Sequence, residues 1–219
     1  MLKVALLLLL TATLAGCATR GMGGADMNEL MRDAARQQRQ MTDNMDVMMA
    51  KQQLMQDMMS NPDLPAWHDQ REKMALSLGD RQFDKEFDRV FDSMITALAS
   101  LGCRVQNMER VSGYITASIP ELPPEQLQSL YKDGTRQYAV AKGYSADVVD
   151  RKTQFDVDPN MMMGRAMSGL TLSMVRQGPE LTKVKLRFDN VYYPVLVEQY
   201  YSVVWRAVDK QVFLDKALD

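Results

Sequence analysis

Histidine is almost absent from this chain: His68 is the only one in 219 residues. A Ser-His-Asp or Cys-His arrangement would depend on that one side chain, and any site built on several imidazole ligands is excluded. Cysteine is nearly as scarce, with Cys17 and Cys103 alone. Charge of one sign is also missing. The 26 Lys and Arg stand against 28 Asp and Glu, a net charge of −2, which leaves no electrostatic footprint for a long nucleic-acid surface, so no nucleic-acid partner is expected. The longest apolar run, residues 4–15, falls short of the roughly 20 residues that span a bilayer. No Gly-rich phosphate loop is present, because Gly21, Gly23 and Gly24 follow no strand. What remains is ordinary for a globular protein, 46% hydrophobic and 25% charged, with room for one domain and an appendage or for two small domains. Methionine is the residue in excess, at 19.

The N-terminus reads as an address. Lys3 gives a positive start, Val4 to Leu10 is unbroken apolar sequence, and small residues close the run. That is the layout of an export signal. Its end, Leu14-Ala15-Gly16-Cys17, resembles the lipobox of bacterial lipoproteins at all four positions. The resemblance implies a signal peptide over 1–16, a thioether-linked diacylglycerol on Cys17, and in most members an acylated Cys17 amine. Two or three acyl chains make a stable membrane anchor where one is marginal. Ala18 stands where Asp would imply inner-membrane retention in that family, so the resemblance points to the periplasmic face of the outer membrane. With Cys17 lipidated, Cys103 has no partner in the chain and is expected to be a small buried core residue.

Residues 17–25 form a Gly-containing tether. From Asp26 to Met59 there is neither Pro nor Gly, and a helix over 26–61 is expected, ended by Asn61-Pro62. Asp26 and Glu29 make a weak capping-box signal. Met27, Met31, Met41, Met45, Met48, Met49, Met55, Met58 and Met59 recur mostly at spacings of three, four and seven, which marks a helical face. Unbranched thioether side chains adapt to imprecise surfaces, so the favoured reading is packing on the chain's own domain, on a second copy, or on another partner. Two others compete: a partly disordered linker, and a Cu(I) site, since thioethers are soft ligands.

A folded α+β domain is expected over 71–219, with an insert at 119–167. Met74 to Leu78 fits either a strand or the end of a short helix. Phe87, Val90, Phe91, Met94, Ile95, Leu98 and Leu101 fall at helical spacing, and Gly102 occupies the C-cap position. Residues 103–109 and 113–119, partly alternating and punctuated by Ser112-Gly113, read as a β-hairpin, residues 125–142 as a helix with Leu127, Leu130, Tyr131, Tyr138 and Val140 as contacts, and residues 144–165 as irregular. A second hairpin follows over 170–176 and 182–188, with Val184, Leu186 and Phe188 on one side and Lys183, Lys185 and Arg187 on a solvated face. A terminal helix over 195–218 turns Tyr200, Val203, Val204, Ala207, Val208, Gln211 and Val212 inward.

The run Ala97 to Gly102, the strand Ser112-Gly113-Tyr114-Ile115-Thr116-Ala117, the strand Thr182 to Leu186 and the terminal helix are similar to the helix-grip-like domains of BamC-type envelope lipoproteins. The resemblance covers 71–118 and 168–218. It implies an antiparallel sheet with helices packed on one face, while the Met-rich leader and the insert depart from it.

No catalytic constellation is visible. His68 is expected to face solvent in a polar linker, and Asp156 and Asp158 lack the spacing of a calcium loop. Glu121 and Glu125 suit a helix start. Tyr192, Tyr193, Tyr200 and Tyr201 fit core packing better than a ligand patch. The expectation is therefore a non-enzymatic interaction or assembly lipoprotein, with no cofactor beyond the lipid and partners in the membrane and the envelope, self-association included. The alternative is a small-ligand or Cu(I)-binding lipoprotein using the Met-rich helix.

Overall fold

The computed structural model describes residues 24–151 and 168–218. Two compact units divide the chain, Met1–Asp46 and Val47–Asp219. Cys17, Asp156, Asp158 and the signal lie outside the described residues. The elements are helices α1 (Gly24–Ser60) and α2 (Pro65–Ser77), strand β1 (Asp80–Phe83), helix α3 (Phe87–Ser100), strands β2 (Val105–Glu109) and β3 (Tyr114–Ser118), helix α4 (Pro124–Ala141), the single turn α5 (Asp147–Asp150), strands β4 (Gly169–Gly178) and β5 (Leu181–Asp189), and helix α6 (Pro194–Leu218). In the first unit the described element is the part of α1 up to Asp46.

The second unit is a mixed α+β fold. Five antiparallel strands form one sheet in the order β1-β5-β4-β3-β2, with helices packed against it. Period-two alternation explains how the sheet finds its core. Leu170, Leu172 and Met174 of β4 are buried, as are Val184 and Leu186 of β5, while the residues between them are not. Register layers these side chains: Leu172 stands opposite Leu186 on one side and Ile115 on the other. The α3 stripe closes over them with Val90, Phe91, Met94 and Leu98, all at most 2% exposed. Helix α6 adds Tyr200, Val204 and Val208. Gly102 ends α3 at φ +70°, a left-handed conformation that glycine adopts without steric cost.

Of the two readings of Met74 to Leu78, the structure shows the end of a helix: Met74 to Ser77 is the last turn of α2. The segment read as a polar linker is helical, with Trp67 buried and His68 exposed on it. Asp80 opens β1, a strand not expected from the sequence, which forms an edge paired with β5 from Asp80↔Lys185 to Phe83↔Thr182. The second unit begins at Val47, and Leu54 of α1 is 3% exposed in the same core as the sheet. Within the segment read as an insert, the expected α4 contacts Leu127, Tyr131 and Tyr138 are buried, Val140 is exposed, and Ala139 and Val148 are buried too. Residues 152–167 of that insert lie outside the described residues.

Candidate interaction surface

Three things must be true of the α1 residues for the Met face to act as a contact surface: they must be helical, they must be exposed, and something must hold the helix. Helix α1 covers all nine Met of the face. Met27, Met31, Met41, Met45, Met49 and Met59 are each more than half exposed, between 55% and 74%. Leu30 is exposed beside them. Met48 and Met55 are half-buried. Met58 is also half-buried, packed against the core. The face is thus split. Most of it points to solvent, and one member is partly spent on the domain.

The hold on α1 in the second unit comes mainly from residues that are not Met. Leu54 is fully inserted and Ala50 lies against the core. Polar groups fix the same stretch. Tyr138 Oη donates to the carbonyls of Asp57 (3.1 Å) and Asn61 (2.7 Å), and Tyr144 Oη donates to Asp57 Oδ2 (2.8 Å). Lys51 Nζ donates to the Arg151 carbonyl. The Tyr138 and Tyr144 hydroxyls both have raised pKa values, Tyr138 through burial and then the Asp57 charge, Tyr144 through its hydrogen bond to Asp57 first. Both phenols therefore stay protonated donors at neutral pH.

Beneath that seat is an aromatic cluster. Trp67 meets the Tyr193 ring edge-on at 5.1 Å and Tyr138 at 5.8 Å, and Tyr131 meets Tyr193 at 6.1 Å. Gly134 lets Tyr193 in: a Cβ there would stand 2.3 Å from Tyr193 Cδ2. Tyr193 donates or accepts one hydrogen bond with Thr135 Oγ1 at 3.2 Å, and burial pushes its phenol up to about 12. The loop after α1 is clamped by Arg71, which meets both carboxylate oxygens of Asp63 (2.8 and 2.6 Å) and donates to the Tyr192 carbonyl at 2.7 Å. Bidentate geometry of this kind is among the stronger side-chain contacts. The four tyrosines Tyr192, Tyr193, Tyr200 and Tyr201 are thus structural: three are buried and Tyr192 is half-buried beside Arg71.

The bases of β5 do not form a free solvated row. Arg187 Nη2 reaches Asp80 Oδ1 at 2.8 Å and Lys183 Nζ reaches Asp80 Oδ2 at 3.4 Å, tying edge strand β1 to β5. Burial pushes the Asp80 carboxyl up, but the hydrogen bonds and charges of Arg187 and Lys183 outweigh it and hold the pKa below its ordinary 3.8.

Nucleophile and metal chemistry find little to work with among the described residues. Cys103 is buried, and desolvation, with Glu121 adding to it, lifts its thiol to about 12. A thiol in that state is a poor nucleophile. No group of three or more His, Cys, Asp or Glu side chains among the described residues is placed to hold a metal ion. Glu121 and Glu125 are both exposed around the start of α4. An open depression of about 390 Å³ runs along α1, lined by Met49, Gln52, Gln53, Gln56, Asp57 and Ser60. No helix among the described residues is long and apolar enough to cross a membrane.

Sequence periodicity found the exposed Met face but missed what seats the helix. Leu54 and Ala50 lie off the Met stripe, and the hydroxyls of Tyr138 and Tyr144 come from a segment read as an insert. The signal that could have found Leu54 is that it is the one Leu between Val47 and Ser60. No protein-family model matches the chain, and no curated protein matches it at a significant level.

Proposed function

We propose that this chain is a lipid-anchored lipoprotein of the cell envelope that acts by contact rather than catalysis. The observation that carries the reading is Leu14-Ala15-Gly16-Cys17 at the end of a short apolar export signal. Cys17 takes the lipid, and the protein is held at the periplasmic face of the outer membrane. Its domain is helix-grip-like, with helices on one face of the sheet, in the manner of BamC-type lipoproteins. The exposed Met27, Met31, Met41, Met45, Met49 and Met59 are the contact face for an envelope protein. Met48, Met55 and Met58 flank it.

Replacing Cys17 tests the anchor. Cys17→Ser should abolish labelling by a radioactive or clickable fatty acid and move the protein from the membrane fraction to the soluble fraction. Unchanged labelling ends the lipoprotein reading.

One observation favours a second reading. Met27 with Met31, and Met41 with Met45, are exposed thioether pairs four residues apart, each able to offer two soft ligands to Cu(I). Replacing these four by Leu should then abolish Cu(I) uptake measured against a competing chelator. Intact uptake ends that reading.

A further inference from the structure

The Met face follows a stricter rule than amphipathicity. From Met27, steps of four and three alternate without a break: Met27, Met31, Ala34, Gln38, Met41, Met45. The alternation continues in the sequence through Met48, Gln52, Met55 and Met59. This is a seven-residue repeat with a mean spacing of 3.5, the seam of a left-handed coiled coil, in which Met27 is a d position and Met31 an a position. A straight helix with 3.6 residues per turn drifts from such a seam by about 20° per heptad. Over the roughly two and a half heptads from Met27 to Met45 the drift is about 50°, so a rigid flat surface would meet only part of the seam. A partner helix that supercoils with it meets all of it. The six seam residues up to Met45 are all exposed.

Charge placement says what that partner is. The charged residues Glu29, Arg32, Asp33, Arg36, Arg39, Asp43 and Asp46 all fall at b, c or f positions, away from the seam. In the same stretch the flanking e and g positions are Asn28, Leu30, Ala35, Gln37, Thr42 and Asn44, none of them charged. Flanks that select a different partner ordinarily carry charges of one sign, to attract that partner and repel a second copy. Between Met27 and Met45 nothing at the flanks repels a second copy. Lys51, at a g position further on, donates to the Arg151 carbonyl of its own chain. The two polar seam residues, Gln38 and Gln52, are both at a positions and two heptads apart. In a parallel, in-register pair each faces its own counterpart, and the two amides donate to and accept from each other. Opposed or shifted by a heptad, at least one Gln faces a Met and loses that match.

We infer that residues 27–59 include a self-recognition seam, through which two copies of this chain pair as a parallel, in-register coiled coil. The inference deepens the reading of the Met face as a contact surface, rests on it, and names the partner as a second copy.

The test is disulfide trapping of the full chain in its native membranes, with tagged and untagged copies co-expressed. Ala34→Cys places a thiol at a d position, where parallel in-register copies bring the two sulfurs together. Arg36→Cys, at an outward f position, and the parent chain are controls. Mild oxidation should give a tagged–untagged dimer as the main product of Ala34→Cys and little from either control. Adding Met31→Glu and Gln38→Glu to Ala34→Cys puts like charges on both sides of the thiol, and the dimer should be lost. These are exposed positions and Glu is a good helix former, so the loss would report pairing rather than folding. Equal dimer from Ala34→Cys and Arg36→Cys, or none from Ala34→Cys, overturns the inference. A crosslink from Ala34→Cys to a different protein also overturns it, while leaving the contact-surface reading intact. The fatty-acid label on Cys17 is read separately.

Discussion

A methyl group at position 134 would stand 2.3 Å from Tyr193 Cδ2 and 2.6 Å from its Cγ, well inside contact distance. On propensity alone Gly134→Ala should favour helix α4 by about 1 kcal/mol. Packing opposes this, because the Tyr193 ring is itself held by Trp67 and Tyr131 and is 1% exposed. Overpacking of that kind costs about 1–3 kcal/mol, so the variant should be less stable than the parent in urea denaturation. A stabilised variant would show that Tyr193 yields. The sequence shows Gly134 only as a weak point in a helix, since its reason lies 59 residues away. Asp80 is similar. Read locally it is turn-like beside Gly79, and only the pairing of β1 with β5 reveals the two cations facing it. Its carboxyl is lowered in the fold, so the stability it contributes is complete above about pH 4 and is lost as pH falls through the still lower folded value. Asp80→Asn should therefore cost about 1 kcal/mol at neutral pH, its side chain being a quarter exposed. The gap between parent and variant denaturation midpoints should narrow toward about pH 2. A gap that stays constant with pH would remove the ionic contact as its cause.

Helix α1 is one element with two duties, and single substitutions separate them. Leu54, 3% exposed, belongs to the core, whereas Met59, 74% exposed, does not. Leu54→Ala should destabilise the second unit by about 2–5 kcal/mol, while Met59→Ala should lie within about 0.5 kcal/mol of the parent. Similar small effects for both would mean that α1 is not seated by Leu54. The helix was legible in the sequence because nothing in 26–59 interrupts it and Met recurs at helical spacing. Its docking was not, because the docking residues are a minority on a different side of the same helix. The strands show the same division. The alternation in β4 and β5 is strong because one side of each is buried, and both were readable. Strand β1 is four residues long with only Phe83 buried, too short to carry a period of its own. Strand β2 has no buried residue at all, and its reading rests on a partial alternation and on the Ser112-Gly113 turn to β3.

At the level of the whole chain, the order helix, hairpin, hairpin, helix was readable and the sheet order was not. Sequence pattern identifies which strands form hairpins, β2 with β3 and β4 with β5. It does not say that β3 pairs with β4 or that β1 lies beside β5. The former follows from Ile115 and Ala117 sharing the buried side with Leu172 and Leu170. The latter is sealed by Asp80 and by Trp205 Nε1 donating to the Leu78 carbonyl at 2.6 Å.

That sheet order has a temporal consequence. β1 leaves the ribosome about a hundred residues before β5, the strand it pairs with. Until β5 arrives, β1 has no partner in the sheet, and α3 still lacks α6, the helix it packs against most. Pairings so distant in sequence form late and slowly. The β2–β3–β4 part of the sheet can therefore pair before β5 is made, whereas the β1 edge closes only after it.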